Sequence, residues 1–324
     1  MNTSSAEARR GGILAALAPH RRELSVLLAY VVLLLVLAVV APRFFRPDPI
    51  RALLVSNASV LVAAVGMTMI ILCRQIDISI GSIFSVCGVA AGLLVKMGLP
   101  MPVVGLGTIA VGCLLGALNG LLVAGLRLPS IVATLATMVV WRESLRYARE
   151  GQFVRDLPPS FQWFGLGQAL GQTAVVALAA VVFVVFAWSL RNVAVGRSVL
   201  AVGSDPEAAR LAGIPPGRVI FGVFTLMGLL AGLAALLNAV RFADVDPGAG
   251  GGLELQVIAA VVVGGTAVTG GRGTLLGTLI GVALLGSIGP ALVFMDAKPQ
   301  WEKAVQGLII LAAVATDALE RQER

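Results

Sequence analysis

Charge is the first thing this chain lacks: only 13% of its 324 residues are Asp, Glu, Lys or Arg, about half the share of an ordinary soluble domain. There is a single histidine, His20, so the usual catalytic triads and paired-imidazole metal sites cannot be assembled. Cys73, Cys87 and Cys113 fall in apolar stretches without metal-ligand spacing, which argues against a disulfide framework or a metal centre. The patterns G-x-x-x-x-G-K-[ST], H-E-x-x-H and G-x-S-x-G are missing, and an enzyme is not expected. Aromatic residues supply 6% of the chain and basic residues are scattered between apolar runs, so the net charge of +7 does not form a nucleic-acid footprint.

What the chain has instead is apolar length. Mean hydropathy is +0.96, far above that of a soluble globule, and the fold class expected is an all-α polytopic membrane bundle of about ten transmembrane helices, several short or broken. The spans expected are 24–41, 52–73, 83–95, a fourth ending at 125, 130–145, 173–190, 220–240, 253–268, 274–294 and 301–315. Pro42 directly after the first run argues against signal cleavage there. The plan is then an amino-terminal segment 1–23 carrying Arg9, Arg10, Arg21 and Arg22, a membrane domain 24–316, a long polar loop 191–219 and a tail 317–324. An even span count puts both termini in the cytoplasm, and the amino-terminal arginines carry most of that orientation.

The loop is the longest polar interruption in the second half. Ser204 or Asp205 can cap a helix, Pro206 suits its first position, Glu207 favours its positive end and Gly213 offers a left-handed stop before Pro215 and Pro216. A helix of about two turns is too short to persist alone in water. It reads as a docking element.

Small residues recur at four-residue spacing: Gly88 and Gly92, Gly112 with Gly116 and Gly120, Gly228 and Gly232, and Gly273 with Gly277 and Gly281. Such faces let helix backbones approach closely in lipid. Three acidic residues, Asp77, Glu143 and Glu254, interrupt apolar stretches. They admit an alternative reading, an ion-coupled secondary transporter of a small polar solute, against simple pairing with Arg74, Arg142 or Arg241.

Four collinear stretches resemble the permease subunits of carbohydrate-importing ABC transporters of the ribose type. Gly66-Met67-Thr68 with Ile76-Asp77-Ile78-Ser79-Ile80-Gly81-Ser82 is similar to G-x-T-x…I-D-L-S-V-G-S. Asn119-Gly120 through Pro129-Ser130-Ile131-Val132-Ala133-Thr134-Leu135 is similar to N-G…P-x-I-x-T-L. Gly203 to Ile214, with Ala208-Ala209 and Gly213-Ile214, resembles the family's A-x-G-x-N-x-x-A-A-x-x-x-G-I loop. Glu254-Leu255 through Gly264-Gly265-Thr266 and Gly270-Gly271-Arg272-Gly273 resembles E-L-x-x-I-A-A-x-V-x-G-G-x…G-G-x-G. Arg74-Gln75 stands where Gly-Gly is common and Arg142-Glu143 where Arg-Gly is common. These departures bring the chain closer to the autoinducer-2 or rhamnose branches.

The resemblance implies a permease in a bacterial inner membrane, working with cytoplasmic ABC ATPase subunits, a periplasmic sugar-binding protein and a second permease copy, identical or related. ATP and Mg would be bound by the partner ATPase and no cofactor or metal by this chain. It also implies that Gly203, Asp205, Glu207, Ala208, Ala209, Arg210, Gly213 and Ile214 form the coupling loop. A polyhydroxylated solute in transit needs scattered weak hydrogen-bond partners. Ser82, Asn119, Thr134 and Thr137 are candidate linings, each with the alternative of satisfying a neighbouring backbone group. Asp77, Ser79 and Gly81 are expected to hold a sharp re-entrant turn between the second and third spans.

Overall fold

The computed structural model describes residues 21–298, 300–309 and 311. Most of the expected segment 1–23, the tail 317–324 and the end of the tenth span lie outside the described residues. Helices in chain order are α1 (Arg21–Val40), α2 (Pro47–Leu72), α3 (Ile80–Lys96), α4 (Met101–Gly120), α5 (Ser130–Arg149), α6 (Gln168–Asn192), α7 (Ala194–Ser204), α8 (Pro206–Leu211), α9 (Pro216–Ala239), α10 (Leu253–Val263) and α11 (Leu275–Phe294).

Among the described residues six stretches are long and apolar enough to cross a bilayer: Glu23–Val40 in α1, α2, α4 with its π-turn to Gly125, α6, α9 and α11. The other expected spans take different forms. The third and eighth are the shorter apolar helices α3 and α10, and the fifth is α5, 20 residues long but carrying Arg142, Glu143, Arg146 and Arg149 in its second half. Residues 301–309 are helical where the tenth was expected.

α2 is the axis of the bundle. Its second half is apolar on nearly every face, as a helix surrounded by others should be, and from Val62 to Leu72 every residue is buried. Around it pack α9, α6, α11 and α10. α1 lies at the periphery, meeting α11 and the turn after it through Leu37 and Phe44, and most of its surface is exposed apolar side chain.

The glycine faces explain the tightest contact. A Cβ added at Gly116 would run into Phe224 O and the Gly228 backbone, and one at Gly232 would meet Thr108 O. α4 and α9 therefore touch backbone to backbone, as the spacing predicts. Gly264 and Gly277 do the same between the end of α10 and α11. Gly88 and Gly92 behave differently from expectation. No helix covers them; they receive Val154 and Val245, which pair as an isolated antiparallel bridge (Val154 N to Val245 O 2.9 Å, Val245 N to Val154 O 3.0 Å).

That bridge begins a descent. Val245 packs over Gly88 and Gly92, and five residues later Gly250 packs over Gly81, with its N–H donating to Ser85 Oγ at 3.0 Å. The chain has thus run roughly 10–15 Å down α3, a substantial part of the ~30 Å hydrocarbon core, before α10 begins. α10 is a half-length helix starting inside the bundle.

Candidate functional site

The loop between α6 and α9 contains two helices rather than the single one expected. α7 was missed because its pattern is short: Gly196, Val199, Val202 and Gly203 form its buried stripe at helical spacing, within only 11 residues. α8 follows at the expected place. Asp205 Oδ1 accepts from the Glu207 and Ala208 N–H groups at 2.9 and 3.1 Å, and Pro206 opens the helix. At the far end Gly213, at φ +83°, donates to Arg210 O (3.0 Å) while Ile214 N donates to Ala209 O (2.9 Å). This pair of bonds is a Schellman stop.

Only Ala209 of α8 is buried. Glu207 and Arg210 form an exposed ion pair, which raises the Arg210 pKa above its ordinary value. Ala208 is exposed and Leu211 is 78% exposed. A doubly capped helix presenting a bare leucine beside charged residues has the composition of a docking surface.

Its root is clasped. Gly203 is buried, and a Cβ there would collide with Leu72 O at the end of α2 and approach Gly271 N. Gly271 N itself donates to Leu72 O at 2.9 Å. Arg74, just past α2, donates from Nε to Gly203 O at 2.6 Å and from Nη2 to Ser204 O. These are carbonyls at the end of α7, where a cation is favoured. So the ends of α2 and α7 and the Gly270–Gly271 turn before α11 converge beneath α8. Of the residues expected to form the coupling loop, Gly203 is buried, whereas Asp205, Glu207, Ala208, Arg210 and Gly213 are exposed.

From Arg74 the chain stays unwound to Ser79. Backbone donors freed inside a membrane bundle need internal partners, and side chains supply them here. Ile76 N donates to Ser130 Oγ (3.3 Å), Ile78 N to Thr134 Oγ1 (3.1 Å) and Ser79 N to Asp77 Oδ1 (2.9 Å). Ser79 Oγ also donates to Asp77 Oδ1 at 2.6 Å and accepts from Asn119 Nδ2 at 2.7 Å; Thr137 Oγ1 donates to Asn119 Oδ1 at 2.9 Å. Ser82 Oγ donates to Ser79 O at 2.7 Å.

The structure therefore gathers Ser82, Asn119, Thr134 and Thr137 with Asp77 and Ser79 into one polar cluster, all buried. Ser130 belongs to it and escaped sequence reasoning; its place at the start of a helix after Pro129 was the available signal. Gly81 lies against Glu254 and Gly250 O, leaving no room for a Cβ. Of the three acidic residues, Glu254 pairs with Arg142 (3.2 Å), one of the cations considered for it. Glu143 pairs with Arg146 (3.6 Å), and Asp77 with Ser79 instead of Arg74. Among the described residues no His, Cys, Asp or Glu cluster is arranged to hold a metal ion.

A family description, "Branched-chain amino acid transport system / permease component", matches residues 50–314, most of the chain. The chain belongs to this permease family. Relatives of the permease include the "Autoinducer 2 import system permease protein LsrC" of Enterobacter sp. (strain 638), 35% identical over 301 residues, covering 93% of this chain and 88% of the relative. The "Ribose import permease protein RbsC" of Escherichia coli (strain K12) is 34% identical over 295 residues, covering 90% and 92%. All four of the motif stretches quoted above lie within the matched residues.

Proposed function

We propose that this permease carries a sugar or sugar-like solute, of pentose, deoxyhexose or autoinducer-2 type, across the bacterial inner membrane as part of an ATP-driven, binding-protein-dependent importer. The relatives named for autoinducer-2 and ribose import support the solute class. Cytoplasmic ABC ATPase subunits bind ATP and Mg, a periplasmic binding protein delivers the solute, and a second permease copy completes the pathway. Both termini lie in the cytoplasm.

The observation that carries the coupling assignment is α8 itself: capped at both ends, exposed on the face bearing Ala208 and Leu211, and rooted through Gly203 on the ends of α2 and α7. Closure of the ATPase pair displaces α8, with Asp205, Glu207, Ala208, Ala209, Arg210, Gly213 and Ile214 as its rigid tip. Through Gly203 and Arg74 the displacement reaches the unwound segment 74–79. There Asp77, Ser79 and Gly81 hold the re-entrant turn, and Ser82, Asn119, Thr134 and Thr137 exchange hydrogen bonds made within the protein for solute hydroxyls as the bundle opens inward. Each exchange costs little where the solute also takes up the group left behind, since a buried donor without a partner costs about 1–3 kcal/mol.

Gly213→Val forces a β-branched residue into a left-handed conformation, and Glu207→Lys removes the Arg210 pair and places a cation at the positive end of α8. With the variants assembled with their ATPase and binding protein in proteoliposomes, both are expected to stay in the membrane and to hydrolyse ATP with solute uptake reduced about tenfold or more. Wild-type uptake by both variants contradicts the coupling role.

A further inference from the structure

The descent of 245–250 along α3 leaves a space beside it. Between α3, the last turns of α9, Phe153 and residues 242–249 lies a cavity of about 580 Å³, within the usual range for small-molecule sites. It opens at the end of α9 remote from α8, on the side assigned above to the periplasm. Non-helical backbone is tolerated at membrane depth where it lines a watered cavity or is buried in protein, and this chain does both: Val245 and Gly250 are buried while Asp244, Asp246 and Ala249 face the space.

The lining is selective in its chemistry. Phe84, Phe153 and Phe242 offer ring faces and edges, and Asn238, Asp244 and Asp246 offer hydrogen-bonding groups; among the described residues no Lys or Arg lines the cavity. Arg241 touches Asn238 Oδ1 (3.3 Å) and stacks near the Phe242 ring (5.2 Å), but it lines a different cleft with Trp163 and Gln168. Sugar hydroxyls are donors that carboxylates accept strongly, and the C–H faces of a sugar ring match the phenyl rings. An anion meets two carboxylates, while the neighbouring Arg149 is held on the Phe153 carbonyl (3.2 Å) and is not itself in the lining. A zwitterionic amino acid finds acceptors for its ammonium group and no charged partner for its carboxylate.

We infer that this cavity is the outward solute station of the permease, and that it admits neutral polyhydroxylated solutes in preference to anions and amino acids. The inference rests on the importer reading above and gives its solute a site on the outward side, away from the polar cluster around Asn119.

The test is made on the whole transporter in right-side-out vesicles. Ala243, exposed at the cavity wall, is replaced by cysteine and labelled with a membrane-impermeant maleimide; the unsubstituted chain, with Cys73 and Cys87 buried and Cys113 partly exposed, provides the baseline. Millimolar D-ribose or L-rhamnose is expected to slow labelling, whereas L-leucine and D-ribose 5-phosphate at the same concentration do not. Adding Asp244→Asn and Asp246→Asn raises the sugar concentration needed for protection about tenfold, the loss of two modest hydrogen bonds. Asn at 246 retains the oxygen that accepts from Gly248 N at 2.7 Å, so the turn survives.

Leucine protecting as well as the sugars, no protection by either sugar, or protection indifferent to the two Asn substitutions overturns the inference. A change only in binding-protein affinity also overturns it, in favour of a docking surface. Failure of the importer reading shows separately, as absence of ATP-dependent uptake by the unsubstituted transporter.

Discussion

Arg74 occupies a backbone conformation, φ +62°, that strains an L-residue by about 1–2 kcal/mol and that glycine adopts freely. What the arginine supplies in return is its fork: two donors reach two carbonyls at the end of α7, a geometry that a single ammonium cannot reproduce. Arg74→Gly should therefore relieve the backbone and leave the protein folded while loosening α7, and with it α8, from the unwound segment. The expected outcome is unaltered melting but a severalfold fall in solute moved per ATP, roughly what about 1 kcal/mol of coupling energy represents. Arg74→Lys should recover part of it. A Gly variant with wild-type stoichiometry, measured as uptake and phosphate release in the same vesicles, would show that the clasp is only a packing detail.

At the scale of elements, the decisive contact is α4 against α9. Gly116→Leu introduces a side chain where Phe224 O and the Gly228 backbone already lie, and helices that meet at their backbones cannot part without disturbing α2 and α3 beneath. Overpacking of this kind costs about 1–3 kcal/mol, so the variant should lose detergent-resistant folding by several degrees in a thermal assay. Gly222, whose added Cβ meets nothing, is the control: Gly222→Ala should be neutral or slightly stabilising. Equal losses at both positions would count against backbone-to-backbone packing.

The same elements show what could be read from the sequence. The cap at Asp205, the stop at Gly213, the faces of Gly112, Gly116, Gly228 and Gly232 and the break at Asp77 were legible, because each is dictated by chemistry within a few residues. The path of 245–250 was not. Gly81, Gly88 and Gly92 announce a close approach to α3 without saying whether a helix or a bare strand makes it, and here the partner is a loop more than 150 positions away. Arg74 was visible as an oddity, but its targets on α7 are set by tertiary packing. The polar cluster was half legible: Asn119, Thr134 and Thr137 were marked, whereas their joint task of satisfying the unwound backbone emerges only when Ser130 and Ile76–Ile78 are brought alongside.

For the molecule as a whole, the buried centre of α2 and the polar cluster beside it contrast with the apolar sides of α1, α5 and α6, where Val39, Val140 and Leu170 are 84%, 58% and 67% exposed. Those sides belong against lipid or a second copy, since water would not tolerate so much apolar surface. In the proposed importer the motor is a separate ATPase and its point of purchase is α8. A cysteine at Ala208, exposed on α8, tests this most directly. In the assembled transporter it should crosslink to the cytoplasmic ATPase subunit, with a yield that changes when ATP is trapped. Labelling of that cysteine by an impermeant reagent from the periplasmic side, or absence of any ATPase crosslink in every nucleotide state, would contradict the account.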